Sequence, residues 1–274
     1  MTDKFGYSAR VSVSDVERNN LLVFAQDTVR AAGAATLSYF RTKVSVENKL
    51  TEGFDPVTEA DKAAERIIRQ SIEDTYPSHG IYGEEFGHRS GNGLTWVIDP
   101  IDGTRAFMSG MLHWGVLLAL FDGEEPIVGA MYQPYVDDLF SGDGVTATHS
   151  RGAIDNPLRT SSVVSLSDAV LATTGPEWFQ EDLSKFESLK AASKMCRLGG
   201  DCYVHAMVAL GGVDIGTDGN LNPYDIQALI PIVRGAGGVV TTYEGGNPAL
   251  GGSVLCSANE QLHSAALAIV EAKS

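Results

Sequence analysis

Asp99 and Asp102 stand three residues apart in the segment Trp96–Phe107, WVIDPIDGTRAF. An apolar run ends at Asp99, Pro100 fixes a bend, and Gly103-Thr104 opens a helical pattern. Two carboxylates on one tight turn can face the same point in space, an arrangement that suits Mg²⁺ better than it suits an apolar core. Gly103 lets the backbone approach a ligand closely, and free amides at a helix start donate to phosphate oxygens. The same residues also describe an Asx turn running into a helix cap.

Three other carboxylate positions carry a similar ambiguity. Gly83-Glu84-Glu85 follows a short apolar run, so it reads either as a solvated turn or as a ligand at a strand end. Asn222-Pro223-Tyr224-Asp225 is a helix start with Asn as cap and Asp at the third position, where the aspartate either caps or serves a site. Asp61 lies on the first turn of a predicted helix, as a capping-box carboxylate or as the base that orients a hydroxyl.

Composition narrows the chemistry. The 274 residues carry 35 Asp+Glu against 20 Lys+Arg, a formal net charge of −15. That balance argues against duplex nucleic acid as partner, which requires a cationic face, and is compatible with a site that collects divalent cations. Three cysteines, Cys196, Cys202 and Cys256, give an odd count without CxxC spacing, so neither a disulfide framework nor a zinc site is expected. The six histidines show no ligand spacing, and the Walker, dinucleotide, nucleophile-elbow and zincin motifs are missing from the sequence. No apolar stretch is long enough for a bilayer and no secretory leader is visible, so a soluble, cytoplasmic chain is expected.

The elements that must position these residues follow from periodicity. After a loose arm, residues 14–43 read as a helix. A second helix follows Asp55-Pro56, capped by Thr58, with Ala64, Ile67, Ile68 and Ile72 as its buried stripe and Pro77 as its stop. Short β-rich runs at 81–83, 95–99, 114–121 and 126–134 predict a sheet with antiparallel hairpins. The polar stretch 150–168 is expected to connect two domains, 1–155 and 156–274. Beyond it strands and helices alternate, including one helix over 223–238 and a terminal helix over 260–272.

Taken together, DPVTEAD (55–61), GEE (83–85), DPIDGT (99–104), GGD (199–201) and PYD (223–225) resemble the inositol monophosphatase-like superfamily of Mg²⁺-dependent, lithium-sensitive phosphatases. The resemblance runs from the first helix to the C-terminus. It implies an α/β (α+β) fold, a layered αβαβα sandwich of the inositol monophosphatase/fructose-1,6-bisphosphatase type, with the site between its halves. It assigns Glu84, Asp99, the Ile101 carbonyl, Asp102 and Asp225 to two or three Mg²⁺ ions. Asp61 and Thr104 match the pair that activates the attacking water, and the amides of Gly103 and Thr104 match phosphate donors. The implied assembly is a homodimer, and the implied partner a small phosphorylated metabolite.

Within the superfamily, DPIDGTRAF and RLGGDCY resemble the histidinol-phosphate phosphatase branch, with Arg105 and Asp201-Cys202 at the distinguishing places. Gly200, Asp201, Cys202, Asp218 and Asp225 are then substrate-binding candidates, since a carboxylate beside the site would pair with a cationic substrate. Asp201 also reads as a helix cap, and Arg105 as a structural ion pair. The chain departs from the family pattern at Asp218 (usually Glu), Leu112 (often Pro), Tyr224 (often Trp) and Gln227 (usually small). Competing expectations are an inositol-phosphate or broad sugar-phosphate phosphatase, an enzyme removing the 3′-phosphate of adenosine bisphosphates, and a non-catalytic metal-binding relative.

Overall fold

The computed structural model describes residues 10–42, 46–48 and 56–272. Residue 55, the side chain of Thr58 and residues 1–9 of the N-terminal arm, all invoked above, lie outside them. The described part of the arm is not loose. The Val11 amide donates to the Asp122 carbonyl at 2.8 Å, and Arg10 Nε donates to the Asp122 carboxylate at 2.7 Å.

Helix α1 (Asp15–Thr36) is capped by Ser14, whose side chain accepts from the Glu17 amide. It ends earlier than its pattern predicts. The Thr36 hydroxyl donates to the Gly33 carbonyl, and the following turn tucks Phe40 against Ile101, Phe107 and Trp114. Burying that ring outweighs extending a helix whose next residues face water. A short β1 (Val46–Asn48) pairs antiparallel with β2 (Pro56–Thr58), which leads into α2 (Glu59–Thr75). Ala64, Ile68 and Ile72 are buried as their spacing predicts, Ile67 partly so, and Asp61 and Glu65 are buried with them.

Eight strands follow: β3 (Gly80–Gly83), β4 (Gly87–Arg89), β5 (Thr95–Asp102), β6 (Gly115–Phe121), β7 (Pro126–Gln133), β8 (Asp138–Gly142), β9 (Ala147–Arg151) and β10 (Ile154–Pro157). Helix α3 (Thr104–Ser109) lies between β5 and β6. The strands form one sheet in the order β10-β9-β8-β7-β6-β5-β3-β4, antiparallel except where β3 runs parallel to β5. The stretch 150–168 is therefore not all connection, because its first residues belong to β9 and β10. β10 is an exposed edge strand, and with neither face buried it carries no apolar alternation to read.

The second sheet has the order β12-β11-β13-β15-β14, built from β11 (Val170–Thr173), β12 (Met195–Leu198), β13 (Ile215–Leu221), β14 (Val239–Thr242) and β15 (Gly252–Ser257). Its helices are α4 (Leu183–Ala192), α5 (Tyr203–Ala209), α6 (Pro223–Ile226), α7 (Leu229–Gly235) and α8 (Glu260–Glu271). The single helix expected over 223–238 is two, α6 and α7. Pro231 has no N–H to return to the Gln227 carbonyl, one turn earlier, and the Gln227 side chain is held apart by donating to the Ala249 carbonyl at 2.8 Å.

Three cores set the layers. Leu21, Val29, Ile68 and Ile72 of α1 and α2 pack on Trp96, Ile98, Val116 and Leu118 of the large sheet. The other face, Val97, Leu117 and Met131, meets Val204, Val208 and Ile230 of α5 and α7, which also meet Val240 and Val254 of the second sheet. Phe186, Leu262 and Val270 of α4 and α8 cover Leu171, Ile215 and Leu255 on its far side. The result is the αβαβα sandwich. Strict alternation along β5 and β6 feeds two cores at once, as strands buried on both faces require.

Candidate active site

The site forms where β5 loses its register. Asp99 pairs with Leu117 and Asp102 with Gly115, so β5 advances three residues while β6 advances two. Pro100 cannot donate to the ladder, and the extra residue bulges here. The bulge is held from within: the Ile101 amide donates to Asp99 Oδ1 at 3.1 Å, and the Thr104 hydroxyl donates to the Ile101 carbonyl at 3.1 Å. Gly103 has φ 86°, and a Cβ there would lie 2.4 Å from the His113 carbonyl oxygen. No side chain fits that position.

Asp225 reaches the bulge from the other half of the sandwich. It sits at the third position of α6, and its Oδ2 accepts from the Asn222 amide at 2.6 Å. Capping and site roles coexist, because one carboxylate oxygen from each of Asp99, Asp102 and Asp225 lies within 4.8 Å of the others. Glu84, at the end of β3, and Asp61, on the first turn of α2, fall outside that tight triad, yet both are near enough to raise the Asp99 pKa.

The electrostatics are those of crowded carboxylates. Burial, then the charges of Glu84, Asp102, Asp225 and Asp61, push Asp99 well above the ordinary carboxylate range. Burial, then Asp201 and Asp225, push Asp102 up as well, opposed by hydrogen bonds from the Cys202 thiol and amide. Asp225 is pushed up to about 6, chiefly by burial and against its bonds to Asn222. An all-oxygen, multiply anionic cluster of this kind matches the hard divalent cations in charge and donor type.

A cleft of about 310 Å³ opens from the triad along the seam between the sheets. Of the residues singled out in the sequence, Glu84, Asp102, Gly103, Thr104, Arg105, Asp201, Cys202, Asp218, Tyr224 and Asp225 line it. Asp61, Asp99, Ile101 and Gly200 do not; the Gly200 carbonyl accepts from the Tyr203 amide at 2.9 Å. Asp201, at φ 46°, is pushed up to about 7 by burial and then by Asp218, with Arg105 opposing. Asp218 Oδ1 accepts from the Thr173 hydroxyl at 2.9 Å and the Thr174 amide at 2.7 Å, which ties β13 to the end of β11. Its Oδ2 lies 3.4 Å from His205 Nε2. Burial works to discharge that ring, but Cys256 and Asp218 outweigh it and push the histidine up to about 10.

Sequence reasoning missed Trp178, Thr174 and His205, all of which line the cleft. His205 occupies a helical position like any core residue, and Trp178 lies in a three-residue 3₁₀ turn with no motif around it.

The comparisons with known proteins agree with this geometry. Residues 17–274 match the profile of the inositol monophosphatase family. A histidinol-phosphatase from Chlorobaculum parvum is 37% identical over 247 residues, covering 88% of this chain and 93% of the relative. An inositol-1-monophosphatase from Rhizobium meliloti is 31% identical over 265 residues, covering 93% of this chain and 97% of the relative. The solved structure of an inositol monophosphatase from Zymomonas mobilis superposes with a TM-score of 0.83 at 31% identity, covering 95% of this chain and all 100% of that one. With a matching profile, relatives similar along nearly their full length and the same fold, the chain belongs to the inositol monophosphatase family and is a phosphomonoesterase.

Proposed function

We propose that this phosphatase hydrolyses L-histidinol phosphate to L-histidinol and phosphate, with Mg²⁺ held by Asp99, Asp102, Asp225, Glu84 and the Ile101 carbonyl. The observation that carries the substrate is the carboxylate pair Asp201 and Asp218, lining the cleft beyond the metal triad. Their charges make the bonds offered to an ammonium or imidazolium group stronger than those either acid would accept from a polyol hydroxyl. Relatives named histidinol-phosphatase from Chlorobaculum parvum and Streptomyces coelicolor, at 37% and 35% identity, support the same reading.

Bound Mg²⁺ supplies positive charge to the phosphate and the leaving alkoxide and lowers the pKa of water. The protein's residues do the rest. Asp61 and Thr104 orient the attacking water for in-line displacement, with the Asp61 carboxylate accepting its proton. The amides of Gly103 and Thr104 donate to phosphate oxygens. The bulged loop carries Asp99, Asp102 and Thr104 on a few consecutive residues, so its rigidity fixes two metal ligands and one member of the water-activating pair in one frame, to which α2 brings Asp61. No covalent phosphoenzyme is required. A cytoplasmic homodimer is the assembly this reading carries with it.

The likeness to the Zymomonas mobilis structure favours a second reading, an inositol-phosphate or broad sugar-phosphate phosphatase with the same metal chemistry. Phosphate release by the Asp99→Asn variant tests what the two share. Loss of Mg²⁺-dependent turnover with an unchanged circular dichroism spectrum is the expected result, and unchanged turnover would sink the enzyme mechanism.

A further inference from the structure

Glu65 is fully buried on α2, one helical turn beyond Asp61, and its carboxylate points at the turn that carries Glu84. β3 and β4 form a hairpin in which Gly83 pairs with Gly87, leaving Glu84, Glu85 and Phe86 as the loop. A loop this tight cannot satisfy its own amides. Glu65 does it instead: Oε2 accepts from the Glu85 amide at 2.7 Å, and Oε1 accepts from the Phe86 amide at 3.2 Å. Arg69, one turn further on, donates to Glu65 Oε1 at 2.7 Å and with its other arm to the Gly87 carbonyl. The Phe86 ring covers the Arg66 and Arg69 guanidiniums at 5.3 and 5.9 Å. The fit is close enough to dictate Gly83, since a Cβ there would stand 2.0 Å from Glu65 Oε1.

We infer that Glu65 is a positioning residue that sets the turn so that Glu84 meets the metal cluster, with α2 serving as template for both Asp61 and Glu84. The assignment rests on the proposed role of Glu84 as a metal ligand. A buried carboxylate is costly to hold unless its partners are good. Here three donors, one of them the counter-charge Arg69, converge on it; the other two belong to the Glu84 turn, which Arg69 itself grips. Partners of metal ligands typically carry a 10–100-fold effect on metal affinity.

The test is Mg²⁺ binding by calorimetry on the whole purified protein, with Mg²⁺-dependent kinetics alongside. Glu84→Gln is the reference, and Glu73→Gln, an exposed acid on the same helix, is the control. Glu65→Gln presents an NH₂ to a backbone N–H, so Mg²⁺ affinity is expected to fall about 10–100-fold, as for Glu84→Gln. At saturating Mg²⁺ its KM stays near wild type, and the control stays within about twofold throughout. Should Glu65→Gln not fold, Glu65→Asp keeps the charge for Arg69 but withdraws the oxygens from the amides, and the same weakening is expected. Wild-type affinity in a folded Glu65 variant, with weakened binding in Glu84→Gln, overturns the positioning role alone. Wild-type affinity in Glu84→Gln overturns the ligand role of Glu84 and the positioning role with it.

Discussion

The guanidinium of Arg105 lies over the indole of Trp178, its central carbon 4.7 Å from the ring centroid. Arg105 comes from α3, directly after the bulge that carries Asp99 and Asp102, and Trp178 from the 3₁₀ turn after β11, so the stack bridges the two halves at the cleft. A partly exposed cation–π contact contributes about 0.5–1 kcal/mol. Its larger effect is to hold Arg105 beside Asp201, whose charge it favours. Trp178→Ala is expected to raise KM for histidinol phosphate about 3–10-fold with kcat nearly unchanged, and Trp178→Phe to retain most of the wild-type KM. Steady-state kinetics on the two variants checks this; an equal loss in both would mean the stack is not what matters.

Asp201 should make substrate preference depend on pH. Its carboxyl is pushed up to about 7, by burial first, so it is ionised above that pH and neutral below it. A cationic substrate loses its partner as the pH falls, while a neutral polyol phosphate loses nothing there. The ratio of kcat/KM for histidinol phosphate over inositol 1-phosphate is therefore expected to fall between pH 8 and pH 6. Taking the ratio cancels titration of the phosphate itself. In Asp201→Asn the ratio should start about 10–150-fold lower and lose that decline, leaving only the titration of the substrate's own imidazole, since a lost charge-assisted bond is worth about 1.5–3 kcal/mol.

Metal-free protein carries the opposite stability slope from most acid-sensitive proteins. Asp99, Asp102 and Asp225 all titrate above the ordinary carboxylate value of 3.8 when folded, with burial the leading cause. The folded state then binds more protons than the unfolded chain, so these groups cost stability increasingly as pH rises from about 4 through their folded values. Without Mg²⁺, the gain in melting temperature of Asp99→Asn over wild type is expected to grow from pH 5 to pH 8. With Mg²⁺ the wild type should gain most at the high end, and the variant little. A wild-type advantage without metal at pH 8 would contradict the crowded-carboxylate account.

Asp61 is 1% exposed on the first turn of α2 and acts, in the proposed mechanism, on water rather than on metal. Asp61→Asn should therefore lower kcat by about 10²–10⁴-fold. Mg²⁺ affinity, read by calorimetry, should change far less than in Asp99→Asn. Parallel loss of metal affinity in both would reassign Asp61 to the ligand set.

What could be read in the sequence, and what could not, follows from how locally each feature is determined. The bulge that joins Asp99 to Asp102 was legible because proline, glycine and two carboxylates announce it within six residues. Asp225 was legible in part: its cap is local, but its approach to Asp99 depends on two sheets meeting across α5–α7. Glu65 looks like any polar residue of an amphipathic helix, and its burial is decided by a hairpin twenty residues away. Trp178 and His205 likewise acquire their places only when α3 and β13 arrive beside them. The early end of α1 was hidden for the same reason, being set by the pocket for Phe40, whereas Pro231 marks the division of α6 from α7 locally, inside a run whose apolar spacing continues across it.

The most direct test of the proposed substrate is phosphate release with Mg²⁺ from L-histidinol phosphate and inositol 1-phosphate at matched concentrations. The paired carboxylates Asp201 and Asp218 predict a preference of about a hundredfold or more for histidinol phosphate, equivalent to about 2.7 kcal/mol in the transition state. Equal rates, or a preference for the inositol ester, would contradict the assignment of those two acids to a cationic substrate.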